Sequence, residues 1–350
     1  MRFNGINYDT GFISAGSTTR EPFDPEIVKR EMEIIRDDLQ CAAVRITGGY
    51  PERLEIAAVH AAEAGLEVWF CPFTNNLTSE EFLALLPDFA ERAERVRSRG
   101  ADVVFLTGSE LSLMTAGILP GETLPDRAAS LADPHGLRAL IPGVRGRTNE
   151  LLSKSVDVVR ARFGGKLSYA SIPLDGVDWT PFDIISTDAG YRTATMAARF
   201  REDIRAFVAQ GRALGKPVAI TEFGCAAHTG AGDMAARGIS DIIEWDDSGR
   251  PRRLKGNPTR DEDEQARYIT ESLSVFDSEG VDAAFVYTFA RYDLVDRGES
   301  GGDFDVASAG IVRVLDGRRG RRYPDMPWEP KAAFAALAEY YGEHNRQAGT

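Results

Sequence analysis

Two glutamates in this sequence stand where an acid and a base could work as a pair. Glu110 ends the run Val103-Val104-Phe105-Leu106-Thr107-Gly108-Ser109-Glu110, and Glu222 lies in Pro217-Val218-Ala219-Ile220-Thr221-Glu222-Phe223-Gly224. Each carboxylate follows an apolar segment and precedes a loop, so it is poorly solvated and needs a partner. That setting separates two carboxyl pKa values into an acid and a base. Alternate residues of a strand share a side, which predicts Glu110 in line with Gly108, Leu106 and Val104, and Glu222 in line with Ile220 and Val218. The alternative for either one is a structural carboxylate paired with an arginine. Two such ends in one chain favour catalysis.

Other candidates rest on position. Arg45 could orient a carboxylate nucleophile through a charge-assisted hydrogen bond, or form a plain buried ion pair. Asn7, Tyr8, Asp9, Asn75 and Asn76 could read the hydroxyls of a ligand, although Asn and Asp suit turns anyway, and the turn reading is preferred for Asn76. His228 could line a cleft or sit in a solvated loop. Trp179, Trp245 and Trp328 could stack on a ligand ring, whereas Trp69 reads as core. The run Arg318-Arg319-Gly320-Arg321-Arg322 reads as a solvated basic loop, with an anionic partner as the alternative.

These residues must be positioned by the elements around them. Eight short apolar runs recur: 2–8, 42–47, 67–72, 102–107, 166–172, 183–187, 217–221 and 282–287. Amphipathic helical stretches are predicted over 25–39, 52–64, 79–98, 149–163, 195–214, 260–278 and 330–341. Near-continuous apolar strands alternating with crossover helices imply a parallel sheet covered on both faces. Eight units favour a closed (β/α)8 TIM barrel in the α/β class, a single domain over 1–345 with a tail at 346–350. The segment Gly5-Ile6-Asn7-Tyr8-Asp9-Thr10-Gly11 lacks the glycine spacing of a dinucleotide-binding loop. Long loops follow strand four (108 to about 147), strand seven (223 to about 257) and strand eight (288 to about 328), all at the barrel end that carries the chemistry in this fold. The connection from 173 to 182 is too short for a full helix.

The Thr221-Glu222-Phe223-Gly224 segment, a glutamate after strand four and the closing Trp328-Glu329-Pro330-Lys331-Ala332-Ala333-Phe334 together resemble glycoside hydrolase clan A. The resemblance implies a (β/α)8 barrel in which Glu110 is the acid/base and Glu222 the nucleophile of a retaining glycosidase. It also implies that Tyr191 hydrogen-bonds the nucleophile. The clan usually places Asn before the acid/base, where it contacts the sugar 2-hydroxyl; this chain has Ser109. At the end of strand eight the clan often has a Trp platform, and here Tyr287 or Phe289 would stack instead. The chain is also similar to uncharacterised bacterial proteins labelled abortive infection protein.

The chain has 350 residues, with 41 Lys and Arg against 54 Asp and Glu for a net charge of −13, which argues against a nucleic-acid partner. No apolar run reaches membrane-span length, no leader precedes the first strand, and three dispersed cysteines fit a reducing compartment, so the expected location is cytoplasmic. Four dispersed histidines argue against a His-based metal site, and the two-carboxylate chemistry needs no metal or organic cofactor. The expectation is therefore a retaining glycosidase acting on a small glycoside in a closed pocket, with the oligomeric state open. The alternatives are a non-catalytic carbohydrate-binding or phage-defence barrel, and a transglycosylase or secondary-metabolism enzyme using the same carboxylates.

Overall fold

A computed structural model describes residues 1, 3–132, 134–235, 238, 241–298 and 302–348. Eight strands form the barrel: β1 (Phe3–Asp9), β2 (Ala43–Gly48), β3 (Glu67–Pro72), β4 (Val103–Ser109), β5 (Lys166–Ser171), β6 (Ile185–Thr187), β7 (Val218–Phe223) and β8 (Ala283–Val286). Each pairs in parallel with its neighbours in sequence, and β8 closes on β1. All eight runs read from the sequence are strands of this barrel, within about two residues. The expected first strand began at 2, which lies outside the described residues.

Seven longer helices surround the barrel: α1 (Pro25–Asp37), α2 (Pro51–Glu63), α3 (Ser79–Arg97), α4 (Pro134–Arg160), α5 (Phe200–Leu214), α6 (Glu262–Glu279) and α7 (Ala332–Ala348). Local chemistry sets their ends. Proline occupies the first turn of α1 and α2, Thr78 and Glu81 form a reciprocal capping box on α3, and left-handed Gly215 and Gly280 stop α5 and α6. α4 starts fifteen residues before its expected start at 149 and takes in Pro142, Gly143 and Gly146, residue types that disfavour a helix interior. They fall on the exposed side, while Val144, Thr148, Leu151 and Ser155 carry a helical stripe inward. The loop after β4 is correspondingly shorter than expected. α7 runs past 345 into the expected tail, of which 349 and 350 lie outside the described residues. Among the described residues, no helix is long and apolar enough to cross a membrane.

The core has two layers. Ile6, Val44, Ile46, Phe70, Phe105, Val218 and Ile220 point outward to the helices, while Ala43, Trp69, Cys71, Val104, Leu106, Ala170, Ile184, Ala219, Ala283 and Phe285 fill the barrel. Trp69 and Phe285 meet in the lumen at a tilt of 53°, with centroids 4.8 Å apart. Gly5 makes room for them, since a Cβ there would lie 2.4 Å from the Phe285 ring. This plug is the floor under the polar residues above it.

Candidate active site

Above the floor lies Arg45, fully buried. Its Nη1 donates to Asp188 Oδ1 (2.8 Å), to the Thr221 carbonyl (3.0 Å) and to Asn7 Oδ1 (3.2 Å); its Nη2 donates to Ser109 Oγ (3.1 Å) and Asp188 Oδ2 (3.2 Å). Ser109 Oγ in turn donates to Asp188 Oδ2 at 2.6 Å. Strands β1, β2, β4, β6 and β7 are thereby tied through one guanidinium. Burial works against its charge, and the neighbouring Asp188 and Glu222 carboxylates outweigh that effect, so Arg45 titrates above its ordinary range.

Glu222 reaches this layer through a bulge. Ala284 pairs with Ile220 and Val286 with Phe223, so Thr221 and Glu222 together oppose Phe285. Ile220 and Phe223 both face the helices, and the extra residue turns Glu222 to the lumen side. This corrects the expectation that Glu222 would align with Ile220 and Val218. Its Oε1 accepts a hydrogen bond from Tyr191 Oη at 2.5 Å, and its Oε2 lies 3.6 Å from Arg45 Nη1. Tyr191 is delivered by Gly190, whose N–H donates to the Glu222 carbonyl (3.1 Å) and where a Cβ would clash with that oxygen at 2.6 Å. On the far side, the Arg192 N–H donates to Tyr268 Oη at 2.6 Å. Burial and the Asp188 charge push the Glu222 carboxyl up to about 7, against the opposing pull of Arg45, the Tyr191 hydrogen bond and Arg291.

A second bulge shapes the end of β4. Leu106 pairs with Ser168 and Ser109 with Ala170, so Thr107 and Gly108 oppose Tyr169, with Gly108 at φ +134°. Ser109, rather than Gly108, therefore follows Leu106 on the inner side. Glu110 then adopts a left-handed conformation (φ +49°, ψ +39°) ahead of the single helical turn Leu111–Met114. A non-glycine residue there is strained and must be held by its surroundings. The Glu110 N–H donates to the Ala170 carbonyl (2.9 Å), and the next amide, Leu111, donates to Tyr169 Oη at 2.7 Å. Tyr169 Oη donates to Asp175 Oδ2 at 2.8 Å, which also accepts from the Ile172 N–H at 2.8 Å. The helix-free connection from β5 to β6 supplies this buried aspartate. The Glu110 carboxyl itself takes no hydrogen bond from any described residue. Burial, then the charges of Asp188, Glu222 and Asp175, push its pKa well above the usual carboxylate range.

The rim holds Asp9, whose carboxylate accepts from the Gly11 N–H (2.8 Å) and the Thr19 hydroxyl. It also holds Arg291, paired to both oxygens of Asp293 (2.8 and 2.6 Å) and donating to Tyr287 Oη (3.2 Å).

Several expected contacts fall elsewhere. Tyr8 points outward by strand alternation, donating to Glu31 Oε2 at 2.5 Å beneath α1. Phe289 is fully buried between Tyr8 and Trp328, and Trp179 packs on Phe182, so neither Phe289, Trp328 nor Trp179 offers a ring to a ligand. Asn7 is in the polar layer, but its amide donates to the carbonyls of Thr221 (2.9 Å) and Phe285 (3.3 Å). Ser109 is likewise consumed by Arg45 and Asp188. His228 is buried, with its ring nitrogens on the carbonyls of Thr229 (3.1 Å) and Gly238 (3.0 Å), so it matches neither the cleft nor the solvated reading. Asn75 and Asn76 receive Arg127 Nη2 at 3.3 and 2.6 Å, and Asn76 has φ +60°, as turn chemistry requires. Trp245 lies half-buried on a short hairpin strand in the loop after β7. Asp188 and Arg291 were not assigned from the sequence. Asp188 was detectable as the carboxylate directly after strand six, the same positional signal as Glu222, whereas nothing local marks Arg291. Among the described residues, no group of three or more His, Cys, Asp or Glu side chains is arranged to hold a metal.

No family model and no curated protein matches the sequence. Solved structures do. A GH113 β-1,4-mannanase superposes with a TM-score of 0.58 at 17% identity, over 98% of this chain and 99% of that one. The GH113 β-mannanase of Alicyclobacillus acidocaldarius gives 0.57 at 15%, over 97% and 96%. A β-glucuronidase from Ruminococcus gnavus gives 0.53 at 14%, over 97% of this chain and 49% of its own. None of these comparisons bears on the resemblance to abortive infection proteins. At such identities the likeness is one of architecture, and this chain has the (β/α)8 fold of the two mannanases from end to end.

Proposed function

We propose that this chain is a retaining glycoside hydrolase. The observation that carries the reading is the contrast between Glu222, gripped by Tyr191 and backed by Arg45, and Glu110, a partly buried carboxyl that takes no hydrogen bond from a described residue. Glu110 holds its proton to higher pH and protonates the glycosidic oxygen as the aglycone leaves. Glu222 ionises first and attacks the anomeric carbon, forming a glycosyl-enzyme. Glu110, now a carboxylate, then takes a proton from the water that releases the sugar. Tyr191 and Arg45 fix the attacking oxygen and stabilise its charge. The architecture shared with GH113 mannanases supports the reaction class and puts β-mannosides and β-glucuronides first among the glycones to test. The loops after β4, β7 and β8 are read as closing one end of the cleft, which favours attack at chain ends of small glycosides.

A screen of aryl glycosides spanning common sugars and both anomers tests this, with the first-formed product followed by NMR. Turnover with retained anomeric configuration is the expected result. Inversion would assign Glu222 to base catalysis on water, and no turnover of any glycoside would remove the proposal.

A further inference from the structure

Away from the glutamates, the loop that follows β8 encloses a second feature. The short strands Val312–Val314 and Trp328–Pro330 pair as an antiparallel ribbon, and the chain between them folds back to form a half-open cavity of about 380 Å³. Its walls are Arg313, Leu315, Arg318, Arg319, Arg321 and Glu329. Four arginines around one hollow are unexpected in a chain of net charge −13, because like charges repel and acids are in excess over the chain as a whole.

The acids nearby do not neutralise it. Glu329, opposite Arg313 in the ribbon, directs its oxygens at the main-chain N–H groups of Arg321 (2.5 Å) and Arg322 (3.4 Å). Asp296, just behind the wall, faces Arg318 at 3.2 Å and Arg313 at 3.7 Å. Counting both acids, two guanidinium charges stay uncompensated. Arg319 spends one N–H on the Asp325 carbonyl (2.7 Å), and the Arg321 guanidinium has no partner among the described residues. Arg322, the remaining member of the basic run, instead lies over the Tyr323 and Phe334 rings.

The frame is fixed before any ligand arrives. Main-chain hydrogen bonds join Leu315 to Pro327 (2.8 Å), Asp316 to Asp296 (3.0 Å) and Gly320 to Met326 (2.9 Å). Gly320 itself sits where a Cβ would meet the Trp328 carbonyl at 2.2 Å, so the turn that aims Arg319 and Arg321 depends on glycine.

We propose that this cavity binds a multivalent phosphate, a pyrophosphate group either free or carried on a small molecule. Guanidinium forks match phosphate oxygens in pairs, and four of them on a rigid loop offer more donors than one monovalent anion can use. The volume falls in the usual range for small-ligand sites, about 300–1,000 Å³. None of the lining residues belongs to the glutamate cleft, so the site stands independently of the hydrolase reading.

Calorimetric titration of the full chain with inorganic pyrophosphate, a nucleoside diphosphate and sodium sulfate tests it. Pyrophosphate should bind one to one and at least about tenfold tighter than sulfate, the scale of one charge-assisted hydrogen bond. R321Q, at an exposed side chain, should weaken pyrophosphate about tenfold, and the R319E/R321E double variant about a hundredfold, with melting temperature unchanged. A nucleoside diphosphate that binds tighter than pyrophosphate assigns the carried form, and equal or weaker binding assigns the free one. Absence of saturable binding, sulfate binding as tightly as pyrophosphate, or wild-type affinity in both variants would overturn the proposal.

Discussion

At the end of β7 the Glu222 carboxyl is held by the Tyr191 hydroxyl and faces Arg45, whereas at the end of β4 no described residue hydrogen-bonds the Glu110 carboxyl and its backbone is braced instead. Both are partly buried, and the loss of solvent raises both pKa values. The difference lies in what opposes burial. For Glu222 a cation and a hydrogen bond to the charged form pull the value back to about 7; for Glu110 three neighbouring carboxylates add to the rise, with Arg45 as the counterweight. One residue type thus becomes two reagents through its partners, and the charge of Asp188 raises both.

Substitutions at the two ends should part company accordingly. Glu222→Gly should lower turnover of every glycoside on the order of 10⁵-fold or more, since no substrate avoids the nucleophile. Glu110→Ala should slow alkyl glycosides by about 10² to 10⁴-fold while sparing glycosylation by donors with acidic phenol leaving groups. Azide should rescue both, giving a retained glycosyl azide with Glu110→Ala and an inverted one with Glu222→Gly from an activated donor. The opposite stereochemistry would exchange the roles assigned here.

Tyr191→Phe removes the hydrogen bond that favours ionised Glu222. It should lower kcat/KM by about ten- to a hundredfold, the cost of a hydrogen bond to a charged group. It should also move only the acid limb of the pH–rate profile, upward from near pH 7. Asp188→Asn removes a negative charge felt by both glutamates, so both limbs should move to lower pH. The amide keeps some of the Arg45 contacts, and stability should fall by up to about 3 kcal/mol as the buried guanidinium loses its counter-charge. An alkaline limb that stays in place in Asp188→Asn would separate Asp188 from Glu110.

The smallest effect should come from Tyr169→Phe, which leaves the Leu111 N–H and the Asp175 carboxylate without that hydroxyl. A cost of about 1–3 kcal/mol in denaturant unfolding is expected. A several-fold loss of kcat should appear on alkyl but not on activated phenyl glycosides, because only the β4 end is loosened. Equal losses on both would mean that the brace serves the barrel as a whole.

Periodicity is a local property, and the sequence reports it well. The eight apolar runs, the helices between them and the missing helix from 173 to 182 were all legible, and so was the arrival of a glutamate at two strand ends. α4 was curtailed at a stretch with proline and glycine, which disfavour a helix interior, although an exposed helix face tolerates them. The inner side of each strand was not legible near the site. A bulge inserts one residue without any mark in composition, and it reversed the side expected for Glu222 and exchanged Gly108 for Ser109 beside Leu106. Tyr8 and Phe289 were placed in the cleft by adjacency along the chain, and strand alternation carries Tyr8 to the helices. Arg45, Asp188 and Ser109 are separated by up to 143 residues, and what each one does depends on which of the others it meets. The sequence by itself determined the barrel and the two carboxylates; their protonation, the brace at β4 and the arginine cavity were decided only when distant strands and loops closed around them, because charge and burial act through space.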